Sequence, residues 1–205
     1  MLRINQLKLA PDHTEQELKK LLLTTLHLKE EELLEYHIHK RSIDARKKPT
    51  IFYSYAIDFQ VKNEERILKK AKNKVQKVSQ KSYGFPKAGT MKLRHRPIIV
   101  GAGPAGLFCA YSLALQGYQP ILVERGAPVE ERMQDVEKFW NTGILNPKSN
   151  VQFGEGGAGT FSDGKLNTLV KDKFGRNNFV LETFVKFGAD PAILYEQKPH
   201  IGTDV

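Results

Sequence analysis

Residues 97–126 run PIIVGAGPAGLFCAYSLALQGYQPILVERG, and this stretch determines the fold expected for the second half of the chain. Residues 97–100 form a short apolar, β-branched run of the kind that makes a buried parallel strand. A helix is predicted over residues 104–116, with proline in its first turn and a glycine just past its end. A second apolar strand, 120–123, leads directly to Glu124. The stretch therefore predicts a βαβ unit whose second strand ends on an acidic residue.

Three glycines, Gly101, Gly103 and Gly106, follow the first predicted strand with the spacing G-x-G-x-x-G. In a dinucleotide-binding unit the first permits a tight turn, the second lets the main chain approach a pyrophosphate, and the third allows helix and sheet to pack closely. The phosphates lie at the helix N-terminus, here beside Pro104 and Ala105, where free N–H groups favour negative charge. A glycine-rich structural turn is the alternative, but the complete strand–helix–strand context favours a dinucleotide site.

Glu124 stands 18 residues after Gly106, at the end of the second predicted strand. An acidic residue in this position accepts hydrogen bonds from the ribose hydroxyls of a bound dinucleotide. The same carboxylate would repel a 2′-phosphate, which argues against NADP at this site. The stretch therefore predicts a cofactor with an unphosphorylated ribose.

Charge is unevenly distributed along the 205 residues, whose formal net charge is +9. Residues 1–97 carry 22 basic and 11 acidic side chains, whereas residues 98–205 carry 10 and 12. Such a step predicts two units with different surfaces. We place a basic N-terminal domain at residues 1–90 and a dinucleotide-binding domain at residues 91–205.

Residues 1–90 are predicted to form a small α+β domain. The order of its elements, βαββα, favours an antiparallel sheet of ferredoxin-like type. A linker follows at residues 79–96, which contain Gly, Pro and basic residues without periodicity. The strands are predicted at 2–9, 35–42 and 51–61, and the helices follow a capping box at 14–17 and the cap residue Asn63.

An RNA-binding surface is one interpretation of this basic domain. Loop 40–48 and a basic helix predicted at residues 66–77 supply charge for phosphates. Tyr53 and Tyr55 supply aromatic rings on which bases could stack. Because no RNA-binding motif is present, a solvated lysine-rich surface is the favoured interpretation.

The cysteine and histidine residues do not predict a metal site. A single cysteine, Cys109, excludes an internal disulfide and a four-cysteine zinc site, and burial inside the predicted helix is expected for it. His37 and His39 lie two residues apart on one predicted strand and are interpreted as partly solvated side chains. The N-terminus lacks an apolar signal-peptide core, and no run approaches about 18 apolar residues. We therefore expect a cytoplasmic protein without a membrane span.

A second glycine-rich segment, residues 150–165, runs NVQFGEGGAGTFSDGK. Five glycines within eleven residues do not build a core, because each loses much main-chain entropy on ordering. A loop in close contact with a ligand explains them, since ligands of doubly wound sheets lie at the carboxyl ends of the strands. A flexible surface hairpin is the alternative.

The two glycine-rich motifs resemble those of known protein families. VGAGPAG at 100–106 and LVERG at 122–126, with the later glycine segment, resemble the FAD-binding half of the NAD(P)/FAD-dependent oxidoreductases. NVQFGEGGAGTFSDGKLNT at 150–168, followed by KPHIGTDV at 198–205, resembles more closely the bacterial family of uncharacterised FAD-dependent dehydrogenases. Members of that family carry a basic α+β domain ahead of the flavin domain and extend further at the C-terminus. The resemblance thus implies an incomplete α/β Rossmann-type FAD-binding domain after the α+β domain.

The resemblance also implies roles for individual residues. The first glycine motif and Glu124 would hold the ADP portion of FAD, with Arg125 beside the adenosine. The second glycine segment would approach the pyrophosphate or the flavin. The implied cofactor-binding residues are Gly101, Gly103, Pro104, Ala105, Gly106, Glu124, Arg125, Gly156, Gly157, Gly159 and Lys165.

Residues 160–165 have competing interpretations. Disulfide reductases of the wider superfamily carry a redox cysteine pair in the corresponding segment, whereas Thr160, Phe161 and Ser162 stand here, which argues against dithiol chemistry. Lys165 is the candidate to lie near the N1–C2=O edge of the flavin, although a surface lysine is the favoured alternative. Ser162 and Asp163 are equally consistent with a helix cap.

Together these features predict an FAD-dependent oxidoreductase of the dehydrogenase type that acts on a small-molecule redox substrate. NADH or NADPH is the candidate electron donor, and no side chain is identified as catalytic. Two alternatives stay open. One is an RNA-binding or RNA-modifying flavoprotein that uses the basic domain, and the other is a protein in which the nucleotide is structural.

Overall fold

Two units make up the chain in the computed structural model, which describes residues 1–79, 82–168 and 170–201, apart from the side chain of Lys72. The first unit comprises residues 1–84 together with 165–201, and the second comprises residues 85–164. Among the described residues, no helix is both long and apolar enough to cross a membrane.

Six elements form the sheet and helices at the start of the first unit: β1 (Leu2–Leu9), α1 (Glu15–Leu26), β2 (Leu33–Lys47), β3 (Thr50–Val61), α2 (Glu64–Ala71) and β4 (Val75–Lys77). The sheet has the strand order β2-β3-β1-β4, and every neighbouring pair is antiparallel. The predicted antiparallel α+β arrangement is confirmed, with one strand more than expected. The resulting order βαββαβ is that of the ferredoxin-like motif.

α1 begins at the capping box that the sequence predicts. The Thr14 hydroxyl accepts a hydrogen bond from the Glu17 N–H at 3.3 Å, and the Thr14 N–H donates to the Glu17 carboxylate at 2.7 Å. Leu18, Leu22 and Leu26 follow along one face of the helix and are buried in the core of the first unit. Burial of this apolar stripe joins the helix to the sheet.

Two predicted boundaries in this unit are wrong. β2 extends over Leu33–Lys47 rather than over residues 35–42. The basic helix predicted at 66–77 ends at Ala71, and Val75 begins β4 by pairing with Ile4 on β1. The lysines around Val75 hide this short strand from a periodicity argument, because only tertiary pairing makes a three-residue segment a strand.

The first unit also contains α5 (Arg176–Lys186) and a 3-10 helix at Pro191–Leu194. The apolar run at residues 192–195 therefore does not supply a third parallel strand. The Asp190 carboxylate accepts a hydrogen bond from the Ala192 N–H at 2.8 Å, with proline at the first helical position. This capping chemistry favours a helical turn over a strand.

Arg41 on β2 joins the end of this segment to the sheet. Its N–H donates to the Tyr195 carbonyl at 2.7 Å, and its carbonyl accepts from the Gln197 N–H at 2.8 Å. Its guanidinium pairs with the Glu196 carboxylate and lies 4.9 Å from the centroid of the Tyr53 ring. Residues distant in sequence are thereby attached to an edge strand of the first sheet.

The second unit contains the predicted βαβ arrangement. Its elements are β5 (Ile98–Val100), α3 (Pro104–Leu115), β6 (Ile121–Val123) and α4 (Val129–Thr142), followed by a 3-10 helix at Gly157–Phe161. β5 and β6 pair in parallel, and Ile98 and Val100 on β5 are 67% and 85% exposed. The expected burial of Cys109 on α3 is wrong, because no residue of this helix is fully buried and the thiol is exposed.

Candidate dinucleotide-binding site

The first glycine motif forms a tight turn between β5 and α3. Gly101 adopts a φ of +100°, a conformation that residues with a side chain rarely adopt, and its N–H donates to the Val123 carbonyl at 2.7 Å. Gly103 is the N-cap residue of α3, Pro104 is its first residue, and no side chain caps this helix end. The predicted order of strand, turn and helix is therefore confirmed at these positions.

Gly106 lies where the first turn of α3 crosses the end of β5. A methyl group at this position would overlap the carbonyl oxygen of Gly101 and come within 3.6 Å of Ile99. The predicted role of this glycine in close packing is thus explained by a main-chain contact. Gly103 differs, since a Cβ atom there would meet no atom within 4 Å. The space beside Gly103 and the uncapped end of α3 suit an anionic group.

Glu124 connects the end of β6 to the glycine turn. Its carboxylate accepts a hydrogen bond from the Ala102 N–H at 2.6 Å and another from the Gly126 N–H at 2.8 Å. These main-chain donors hold the pKa of Glu124 below its usual range, so the carboxylate is charged at neutral pH. The sequence predicts Glu124 in the site but does not reveal these two hydrogen bonds. Ribose binding by the remaining lone pairs stays a prediction.

The second glycine segment contacts the same turn through its main chain. The Gly156 N–H donates to the Ala102 carbonyl at 2.8 Å. A Cβ atom on Gly157 would lie 3.3 Å from both Gly103 Cα and Pro104 Cδ. The interpretation as a flexible hairpin is therefore not supported, since two of the segment's glycines lie directly against the candidate phosphate site.

Arg132 on α4 holds this segment and was not predicted. It is 0% exposed, and its guanidinium donates to main-chain carbonyls between residues 150 and 157. The signal available in the sequence was its position four residues before the buried Val136, which places both on one face of α4. Arginine on an amphipathic helix is usually solvated, so this signal is weak.

The other predicted site residues have different surroundings. The Arg125 guanidinium lies over the Phe153 ring at 4.3 Å from its centroid, and contact with adenosine stays a prediction. Gly159 lies in the 3-10 helix within the second glycine segment. Lys165 belongs to the first unit, where its main chain bridges to that of His200. Its proximity to a flavin therefore also stays a prediction.

Ser162 does not cap a helix that follows it. Its hydroxyl accepts a hydrogen bond from the Gly164 N–H at 3.2 Å, and the next helix begins only at Arg176. The helix-cap interpretation of Ser162 and Asp163 is therefore wrong. The serine closes a local turn instead.

His37 and His39 lie in the first unit beside a buried ion pair. Arg3 donates to the Asp58 carboxylate at 2.5 and 2.8 Å, and the two histidine rings lie 3.8 and 4.0 Å from that carboxylate. Burial, followed by the charge of Arg3, lowers the pKa of His39. No group of three or more potential metal ligands occurs in the described parts of the chain.

The aromatic part of the RNA-binding hypothesis is wrong for Tyr55. Its ring is 2% exposed, and its hydroxyl makes a 3.0 Å hydrogen bond with His13 Nε2. Arg41 stacks over the neighbouring Tyr53. Tyr55 belongs to the core cluster, so it does not present a platform for bases.

Comparisons with known proteins give two family matches and one relative. Residues 1–60 match a family described as a domain of unknown function (DUF8436), and residues 99–129 match the NAD(P)-binding Rossmann-like domain family. An uncharacterized protein of Clostridium beijerinckii is 45% identical over 205 residues, which cover 100% of this chain and 38% of that relative. The chain thus spans less than half the length of this relative. The match over residues 99–129 supports a nucleotide-binding fold of the oxidoreductase superfamily.

Proposed function

We propose that this chain carries the ADP-binding part of an FAD site in a flavoprotein oxidoreductase. The observation that carries the proposal is the glycine turn itself. An uncapped helix N-terminus follows it, and the main chain at Gly103 is open to a ligand. The family match over residues 99–129 supports a dinucleotide, and the choice of FAD rests on the resemblance of the second glycine segment.

The residues present fit the pyrophosphate of a dinucleotide. The first N–H groups of α3 lack a side-chain acceptor, and the helix dipole adds positive potential there. Pro104 and Ala105 open this helix, so the phosphates would lie beside them. Gly103 leaves room for the phosphates because any larger side chain would project into the open space.

Glu124 and Arg125 would bind the adenosine portion. The carboxylate of Glu124 is fixed by two main-chain donors, which leaves lone pairs for the ribose hydroxyls. Its charge disfavours a 2′-phosphate, which is why we propose FAD rather than NADP for this site. Arg125 is held over Phe153 and presents a planar cation on which adenine can stack.

Bound FAD would supply the acceptor for a hydride or for electrons, while this chain binds and orients the cofactor. Gly156, Gly157 and Gly159 would line the pyrophosphate or flavin side of the site. A small-molecule redox substrate and NADH or NADPH as electron donor belong to the proposal for the whole protein.

The absorbance spectrum of the purified full-length protein tests this function. We expect the two visible bands of oxidised flavin, release of FAD on denaturation, and bleaching by NADH or NADPH under anaerobic conditions. A colourless protein that also fails to bind added FAD would contradict the proposal. Flavin that is bound but is never reduced by dithionite or turned over would favour a structural nucleotide instead.

A further inference from the structure

The guanidinium of Arg132 is completely buried in the second unit, and main-chain oxygens surround it. Within the described residues, no carboxylate lies at ion-pair distance from it, and its Nε has no hydrogen-bond partner. Burial lowers the pKa of Arg132, and the more distant charges of Glu124 and Glu155 act in the opposite direction. Its acceptors are the carbonyls of Glu155, of Gly157 at 3.0 Å and of Asn150 and Val151 at 3.3 Å, and the Thr160 hydroxyl at 3.5 Å.

A buried cation without a carboxylate partner is unfavourable unless dipoles or a ligand compensate it. Here the oxygen ends of several peptide dipoles converge on the guanidinium, so part of the compensation comes from the second glycine segment. That segment includes four glycines with positive φ, Gly154, Gly156, Gly157 and Gly164. The cation therefore organises a main chain that has little conformational preference of its own.

One peptide unit connects Arg132 directly to the first glycine motif. The carbonyl of Glu155 faces the guanidinium, and the N–H of the same peptide unit, on Gly156, donates to the Ala102 carbonyl at 2.8 Å. A trans peptide holds its C=O and N–H groups in opposite directions. The peptide group between Glu155 and Gly156 thus connects the buried cation to the turn after β5.

The next carbonyl that faces Arg132 belongs to Gly157, at 3.0 Å. By the same peptide geometry, the N–H of Ala158 is directed away from the cation. Gly157 lies beside Gly103 and Pro104, since a Cβ atom placed on Gly157 would be 3.3 Å from an atom of each. The polarised peptide therefore stands next to the residues at which the pyrophosphate is expected.

We propose that Arg132 is the positioning residue of the cofactor site. Its guanidinium fixes the main chain of residues 150–160 against the glycine turn, so that this main chain forms one wall of the pyrophosphate site. The buried positive charge, relayed through the aligned peptide dipoles, favours the negative phosphates. This inference rests on the proposed dinucleotide-binding function.

Gly154 provides an independent way to disturb the same contact. It has a φ of +109°, and a Cβ atom there would lie 2.5 Å from Arg132 Cδ and 2.7 Å from its Nε. Gly154→Ala would therefore displace the guanidinium without removing it. Arg96 provides a matched control. Its guanidinium also donates to main-chain carbonyls, those of Gln119 at 2.7 Å and Pro120 at 3.3 Å, and these lie outside the second glycine segment.

The experiment compares Arg132→Met, Arg132→Lys, Gly154→Ala and Arg96→Met in the full chain after removal of bound cofactor. Dissociation constants are measured for FAD, for ADP and for adenosine, which lacks phosphate. Amide hydrogen exchange of residues 150–160 reports the order of the segment. We expect Arg132→Met and Gly154→Ala to weaken FAD and ADP binding by about tenfold to a hundredfold, to leave adenosine binding unchanged and to accelerate exchange.

Arg132→Lys should restore part of the affinity because it keeps the charge but cannot reach all the carbonyls, and Arg96→Met should behave as wild type. If Arg132→Met does not fold, the same comparison is made with Arg132→Lys and Gly154→Ala. Unchanged ADP affinity, unchanged exchange, or an equal loss for adenosine and ADP would overturn the positioning role alone. A wild-type protein that binds none of the three ligands would overturn the proposed function as well.

Discussion

The two units of the chain are stabilised in different ways. In the first, large apolar side chains from the sheet and the helix α1 are buried together, with Leu2, Leu22 and Phe59 all 0% exposed. In the second, the apolar residues of β5 are largely exposed, whereas a charged residue, Arg132, is completely buried. Large apolar side chains form the core of the first unit, whereas main-chain hydrogen bonds to Arg132 and Glu124 connect the loops of the second.

This contrast also separates structural glycines from the glycine open to a ligand. Gly106 permits a contact between α3 and the turn, so it belongs to the fold of the second unit. Gly103 has free space around its missing side chain, so the protein alone does not require glycine there. We expect glycine to be needed at this position because the pyrophosphate of the cofactor would occupy the space of a side chain.

The largest expected effect is a difference in stability between the units. Phe59→Ala should lower the free energy of unfolding of the first unit by about 3–5 kcal/mol, because it removes a buried ring. Val100 lies in the second unit, and its side chain is 85% exposed. Val100→Ala should therefore change the free energy of unfolding of that unit by less than about 0.5 kcal/mol. Urea denaturation of the 205-residue chain, followed by circular dichroism, measures both. Equal losses of unfolding free energy from the two substitutions would contradict the difference between the units.

A smaller effect is expected on cofactor affinity. Glu124→Ala removes a ribose acceptor and the two hydrogen bonds that tie β6 to the glycine turn. FAD binding should weaken by about 1.5–3 kcal/mol, or roughly tenfold to a hundredfold, in a titration of the apoprotein. Glu124→Gln, which keeps one acceptor oxygen, should lose less. Unchanged affinity of Glu124→Ala would remove this residue from the site.

The smallest expected effect concerns pH and the first unit. The pKa of His39 is held below its usual 6.5 by burial and by Arg3, so the folded state favours the neutral ring. The corresponding stability is present above pH 6.5 and is lost as the pH falls through the lowered pKa of the folded state. His39→Gln should make the melting temperature of the first unit less dependent on pH in this acidic range. An unchanged pH profile would show that the ring titrates as it does in the unfolded chain.

Sequence reasoning succeeded where local chemistry determines structure. The turn at Gly101, the start of α3 at Pro104 and the capping box at Thr14 each follow from the residue at that position. The strands β1, β3, β5 and β6 were also predicted, because their apolar or β-branched runs are continuous or alternate. These features could be predicted without knowledge of the neighbouring elements.

It failed where burial depends on distant partners. Cys109 lies on an apolar helix but is exposed, whereas Arg132 lies on a polar helix but is buried. The RNA-binding alternative requires Tyr55 on the surface, yet the ring packs beside His13 from another part of the chain. β4 is a strand only because Val75 pairs with β1. For Arg132, Tyr55 and Val75 the deciding contact is non-local and leaves no periodic signal.

The most direct measurement is an FAD titration of Gly103→Val in the full chain. A valine at this position meets no protein atom near its Cβ, so the circular dichroism spectrum and the melting of the first unit should match those of wild type. Gly89→Val, at another open glycine, serves as the control for adding a valine. We expect a folded Gly103→Val protein that binds no FAD, beside a control that binds it normally. A Gly103→Val protein with a normal complement of flavin would contradict the placement of the pyrophosphate.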